Sequence, residues 1–231
     1  KIYGKGSSAK VCADAILEQN NIPARFPEEV LAEAEKIGST PISEEDLKGR
    51  LDLRDIAIFT IDSASAKDLD DAISVSRTRS GGYKLGVHIA DVSHYIKEGT
   101  ALDEEAISRG TSVYFADRVV PMLPEALSNG VCSLNAGEDK LTFSAIIHLD
   151  GNMEKYEFRK SIIRSKVRGV YSEVNEIFDK TASKELREKY APVIRGLNAA
   201  RELANLLKER AKERGNMDLE SVEPYFTLDE N

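Results

Sequence analysis

The spacing of hydrophobic and polar positions changes twice along the 231-residue chain, from helical before residue 50 to strand-like from Ile56, and back to helical from Ser172. Pro27-Glu28-Glu29 can open a helix on which Val30, Leu31, Ala34 and Ile37 share one face, with Gly38 as its stop. Ser43-Glu44-Glu45-Asp46 has the form of a helix start with acids in its first turn, although Asp is a weaker capping partner there than Glu or Gln. Strands are expected over Ile56–Ile61, Ala72–Ser76 and Tyr83–Ala90, the last two joined by the turn Ser80-Gly81-Gly82. A short helix over residues 101–109 should end at Gly110, and another is expected within Pro121–Asn129 around Pro124–Leu127. Two further strands, Leu141–His148 and Lys155–Arg159, flank Asp150-Gly151-Asn152, a hairpin turn in which Gly and Asn tolerate positive φ. Ser172–Phe178 reads as a short helix. Residues 183–214 carry Leu186, Tyr190, Ile194, Leu197, Leu203, Leu206 and Leu207 near the helical period, with Pro192 as a break or kink. No internal repeat or flexible linker interrupts this order, and the expected architecture is α+β in one compact domain.

With 41% hydrophobic and 31% charged residues the chain can bury a sizeable core. It contains no run of the roughly 18 apolar residues that a membrane helix needs. The balance of 32 Lys and Arg against 40 Asp and Glu leaves a formal charge of −8, which argues against a protein that coats nucleic acid through phosphate neutralisation. A local groove or a metal-assisted site is still compatible with it. Lys1-Ile-Tyr-Gly-Lys-Gly lacks the apolar run of a signal peptide, and the two cysteines, Cys12 and Cys132, lie too far apart for a metal or redox motif. They read as free thiols, Cys132 as a buried one, and a reducing cytoplasm is the expected location.

Asp62-Ser-Ala-Ser-Ala-Lys-Asp68-Leu-Asp70-Asp71 places four carboxylates between two apolar strands. Two like charges about 4 Å apart repel by roughly 1 kcal/mol in water and about 4 kcal/mol at an effective dielectric near 20, so a site that gathers several needs a cation or a shared proton. Oxygen donors alone favour Mg²⁺ or Mn²⁺. An EF-hand fails on spacing, because twelve positions from Asp62 end on Ile73 and from Asp68 on Arg79, with no glycine at position six of either. A solvated acidic loop is the plainer alternative. The apolar strands on both sides favour the metal site, since they would hold the loop on a rigid base. Carboxylate-held Mg²⁺ serves phosphoryl transfer or phosphodiester cleavage.

Gly49-Arg-Leu-Asp-Leu-Arg-Asp55, followed by Phe59-Thr-Ile-Asp62 and the acidic run through Ala72, resembles the catalytic domain of the RNase II/RNase R family. His88-Ile-Ala-Asp91-Val-Ser-His-Tyr95, Arg109–Tyr114 and Pro121–Leu134 resemble later segments of that domain in order and spacing, with the RNase R branch the nearer. The similarity runs from residue 25 to the carboxyl end, where Gly215–Glu220 and Leu228–Asn231 look like the middle of the family's domain. It implies a mixed, mostly antiparallel sheet packed against helices, with residues 1–48 a helical lead-in and 49–231 the amino-terminal part of the catalytic domain. The implied activity is processive, Mg²⁺-dependent 3′→5′ hydrolysis of single-stranded RNA to nucleoside 5′-monophosphates, with Mn²⁺ a possible substitute and the RNA 3′ end as partner. Asp62, Asp68, Asp70 and Asp71 fall on the family's four acidic positions; the resemblance makes Asp62 and Asp71 the firmest ligands and Asp70 the most critical for the chemical step. It places Tyr114 against a nucleotide near the RNA 3′ end, whereas by itself Tyr114 is an ordinary strand tyrosine. The family's cold-shock and S1-type domains and its later arginine-containing stretch do not fall within these residues, so this length is expected to be impaired in turnover and to expose apolar surface. A non-catalytic RNA- or partner-binding module is the competing class.

Residues 155–168 hold Lys155, Arg159, Lys160, Arg164, Lys166 and Arg168 against Glu157 alone, a pattern that suits phosphate tracking and, equally, a strand with one solvated face. Lys208–Arg214 reads as a solvated helix face. His88, His94 and His148 lack zinc spacing and read as structural. Ser63 and Ser65 lack a paired base and read as loop-shaping. Arg109 reads either as near an RNA path or as paired with Asp103 or Glu104.

Overall fold

The computed structural model describes residues 9–115, 118–149 and 153–217. In place of the one compact domain expected, these divide into two compact units: residues 9–40 with 95–115 and 118–127, and residues 41–94 with 128–149 and 153–217.

The first unit is mainly helical, with α1 (Ala9–Gln19), α2 (Glu28–Ser39) and, later in the chain, α5 (Ala101–Arg109). In α2, Val30 and Ala34 are buried while Leu31 is exposed, so the apolar face is narrower than its spacing suggests. Gly38 does not stop α2; the helix runs on to Ser39, and a Cβ at Gly38 would stand 3.2 Å from the Ala126 carbonyl oxygen, a close approach rather than a cap. α5 has the expected bounds, with Thr100 accepting from Asp103 N at its start and Gly110 left-handed at its end, φ 71°. β5 (Val113–Tyr114) and β6 (Val119–Val120) pair as a small antiparallel ribbon. The helix expected around Pro124–Leu127 is an irregular turn over Ala126–Val131, disrupted by Gly130.

The second unit is built on α3 (Glu44–Leu47), β1 (Leu51–Asp52), β2 (Phe59–Asp62), β3 (Asp71–Arg77), β4 (Tyr83–Ala90), β7 (Asp139–Leu149), β8 (Met153–Arg164) and β9 (Val167–Val170), with α4 (Val92–Tyr95) following β4. α6 (Tyr171–Phe178), α7 (Lys184–Tyr190) and α8 (Ile194–Glu213) complete it. The strands form one sheet in the order β1-β8-β7-β4-β3-β2-β9. The outer pairs, β1 with β8 and β2 with β9, are parallel, and the inner neighbours are antiparallel. The fold is therefore α+β with a mixed, mostly antiparallel sheet. The Ser43 cap is stronger than expected: Asp46 N donates to Ser43 Oγ at 3.3 Å and Ser43 N to Asp46 Oδ2 at 2.8 Å, a complete reciprocal box. The turn expected at Asp150-Gly151-Asn152 lies outside the described residues.

Pro192 separates α7 from α8 as expected, and α8 packs on β3. Phe59, Val167, Val174, Tyr190, Val193 and Leu197 form the core beneath it. Leu85 also packs on α8's side, with Val75 and Leu203, and pairs with Ile147 of β7. Phe143, four residues along β7, consequently shares that face, yet it is exposed, as is the stacked Phe158 with centroids 6.0 Å apart. Every residue from Lys155 to Lys160 is exposed, so this part of β8 does not have the single solvated face suggested by its alternation. The opposite face carries a buried polar row: His88 bonds Ser74 at 3.0 Å and Ser144 at 2.7 Å, and Ser144 bonds Ser161 at 2.6 Å. Among the described residues no helix is long and apolar enough to cross a membrane.

Candidate metal centre

Asp62 is the last residue of β2 and Asp71 the first of β3, so the acidic segment is the connection between two neighbouring antiparallel strands in the sheet interior. Its backbone is held at several points. The buried Ser133 hydroxyl donates to Lys67 O at 2.9 Å and accepts from Leu69 N at 3.1 Å, while Leu134 N donates to Leu69 O at 2.9 Å. Leu69 is itself buried, an apolar anchor between two acids. Arg168 Nη2 donates to Ala64 O at 3.1 Å and Ala66 O at 2.6 Å, and Ala90 N donates to Asp70 O at 3.0 Å. Ser63 and Ser65 bond each other through their hydroxyls at 3.3 Å, consistent with a loop-shaping role.

Asp62 and Asp68 are half-buried, and Asp70 and Asp71 are exposed. Burial, and then the charge of Asp71, push the Asp62 carboxyl above the usual carboxylate range. Asp70 is pushed up as well, first by desolvation of its carboxyl despite the exposure of the residue as a whole, then by the charges of Asp68, Asp71 and Asp62. The four side chains thus share one electrostatic field. Asp62 Oδ2 is buried without a hydrogen-bond partner, which is a costly state for a carboxylate oxygen and one that a hard cation would relieve. The donor chemistry fits Mg²⁺ or Mn²⁺. Among the described residues, however, no three His, Cys, Asp or Glu side chains converge as a ready ligand group, so the carboxylates share a loop and a field but not a common point.

Tyr114 lies on β5 in the helical unit and is 66% exposed. Arg109 belongs to that unit too, and its partners differ from those expected: Glu105 Oε1 at 2.8 Å, one turn back, with Nη1 and Nη2 donating to Pro121 O and Arg25 O and the guanidinium over the Phe26 ring. These contacts fully account for a buried arginine. His88 is structural, and its burial lowers its pKa to about 4. Cys132 is buried and Cys12 exposed, and neither is in a disulfide among the described residues. Ser133 and Arg168, which hold the acidic loop, carry no mark in the local pattern: Ser133 is one serine in the Pro121–Leu134 segment, and Arg168 is the last charge of a basic stretch.

The RNB domain family matches residues 50–231. Ribonuclease R of Thermotoga maritima is 46% identical over 236 aligned residues that cover all of this chain and 33% of the relative. Ribonuclease R 1 of Lactococcus lactis is 41% identical over 232 residues, again all of this chain and 28% of the relative. The chain thus spans about a third of the length of the curated relatives it matches. Among solved structures, Mycoplasma genitalium RNase R in complex with ribose methylated single-stranded RNA superposes with a TM-score of 0.91 at 32% identity, covering 100% of this chain and 35% of that one.

Proposed function

The chain belongs to the RNB domain family, and from that premise we propose that it is the metal-holding part of a 3′→5′ exoribonuclease that hydrolyses single-stranded RNA to nucleoside 5′-monophosphates. The observation that carries this reading is the clamped connection from Asp62 to Asp71, which keeps four interacting carboxylates at the end of an apolar strand with a buried, unpartnered oxygen on Asp62. In this proposal Asp62 and Asp71 are the principal ligands of Mg²⁺, for which Mn²⁺ can substitute, and Asp68 completes the acidic set. When bound, the cation supplies Lewis acidity and a more acidic water. Asp70 sits closest in role to the chemical step. Tyr114 stacks on a base near the RNA 3′ end, a contact worth about 1–3 kcal/mol that tolerates any base. Successive removal of nucleotides without release, and action in the cytoplasm, belong to the same proposal.

The absence of three converged ligands among the described residues favours a second reading, a non-catalytic RNA- or partner-binding module. One experiment separates the two. Single-stranded RNA labelled at the 3′ or 5′ end is incubated with this chain, with a carboxyl-extended form, and with Asp70→Asn in each, in Mg²⁺ or EDTA. The catalytic reading expects Mg²⁺-dependent mononucleotide release, in the extended form at least, that falls by about 10²-fold or more in Asp70→Asn while RNA binding is retained. RNA binding without cleavage in every form and condition would instead establish the module.

A further inference from the structure

Four carboxylates on one short connection repel one another, so the loop needs an internal restraint that does not consume the oxygens a cation would take. β9 lies parallel to β2 with Thr60 opposite Arg168 and Asp62 opposite Val170. Because side chains alternate along a strand, Thr60, Asp62 and Arg168 project to the same side. The two strands approach closely between them: a Cβ on Gly169 would lie 2.4 Å from the Thr60 carbonyl oxygen. From this position Arg168 reaches over the loop, and one terminal nitrogen, Nη2, bridges the carbonyls of Ala64 and Ala66. Its Nε is buried without a partner, as are Thr60 Oγ1 and Asp62 Oδ2, and no other such side-chain atom occurs among the described residues. The guanidinium therefore grips the backbone and lends its charge to the site while leaving Asp62 Oδ2 open.

We propose that Arg168 is a positioning residue of the acidic site, pinning the backbone of the Asp62–Asp71 loop from β9 while leaving its carboxylates to a cation; this rests on the reading of that site as a divalent-metal centre. Arginine suits the role because Nη2 holds two N–H donors in one fixed plane, one for each carbonyl, while the rest of the guanidinium keeps its charge beside Asp62. Ser133 holds the far half of the same loop.

The test uses the full chain and two readouts, Mn²⁺ affinity by electron paramagnetic resonance and the rate of trypsin cleavage after the exposed Lys67, compared among the unsubstituted protein, Arg168→Met, Arg168→Lys and Asp62→Asn. The proposal expects Arg168→Met to weaken Mn²⁺ binding at least tenfold and speed cleavage after Lys67 at least tenfold, with Arg168→Lys between it and the unsubstituted chain. Unchanged Mn²⁺ affinity in Arg168→Met, alongside lost binding in Asp62→Asn, overturns the role of Arg168 and leaves the metal reading standing. Unchanged Mn²⁺ affinity in Asp62→Asn overturns the metal reading instead, and the trypsin rates then decide the clamp, equal rates overturning it. If Arg168→Met does not fold, Arg168→Lys is decisive: at least threefold faster cleavage supports the clamp and an unchanged rate overturns it.

Discussion

Arg50 and Asp91 meet at 2.7 Å with only 3% of either side chain exposed. Stripping both ions of water is costly, and the geometry offsets this by giving each guanidinium N–H a partner: Nε donates to Asp46 O at 2.8 Å, Nη1 reaches the carbonyls of Thr142 and Ser161, each at 3.3 Å, and Nη2 faces His94 Nδ1 at 3.3 Å besides Asp91. Burial pushes the Asp91 carboxyl up, but the hydrogen bond and charge of Arg50, together with Lys160 and Ser93, more than reverse this, and its pKa lies below the usual range. Removing Arg50 leaves the buried Asp91 carboxylate to Ser93 Oγ at 3.2 Å and the more distant Lys160 Nζ at 3.8 Å. Arg50→Met is expected to lower unfolding free energy by about 3–5 kcal/mol in urea titrations, and adding Asp91→Asn to recover part of that loss. Both residues stand in the segments that resemble the family, yet their pairing joins positions 41 apart, a separation at which no local periodicity speaks.

Among the elements, those whose signals are local were legible. α5 ends on its left-handed glycine, β4 occupies the alternating Tyr83–Ala90, and Pro192 divides α7 from α8. β9 was not legible, because Val167-Arg-Gly-Val170 is four residues long with a glycine inside, and only its pairing with β2 makes it a strand. β1, two residues long, owes its existence to β8 in the same way. The glycine of β9 is a packing requirement. Gly169→Ala would drive its methyl to 2.4 Å from the Thr60 carbonyl oxygen, so β2 and β9 must separate. The expected cost is about 1–3 kcal/mol of stability, read as a lower urea midpoint with little change in slope.

For the molecule as a whole, the polar row beneath the sheet makes stability depend on pH. His88 is fully buried, and burial lowers its pKa from the ordinary 6.5 to about 4. As the pH falls, the unfolded chain takes up this proton first, so stability declines from about pH 6.5 and levels off below about pH 4. At about 1.4 kcal/mol per pH unit the imidazole contributes roughly 3 kcal/mol to that decline. His88→Gln is expected to be less stable at pH 7, having lost bonds to Ser74 and Ser144, but to show a flatter dependence between those limits in urea unfolding at stepped pH. A slope equal to that of the unsubstituted chain would assign the acid sensitivity elsewhere. The structural role of His88 was legible in its strand position; its hydrogen-bond partners were not.

The run of bases read along β8 as a single feature is divided by the fold. Lys155, Arg159 and Lys160 are exposed, Arg164 bonds Asp139 at 2.6 Å, Lys166 reaches Arg54 O, and Arg168 grips the acidic loop. By itself the sequence determined the α+β order of elements, the concentration of carboxylates after an apolar strand and the family to which the chain belongs, because each of these resides in short-range spacing or in contiguous motifs. Tertiary structure alone decided which residues restrain that loop, which charges neutralise one another and which aromatic side chains reach solvent. Those outcomes follow from strand register and from which part of the sheet α8 covers, and both emerge only when distant segments are brought together.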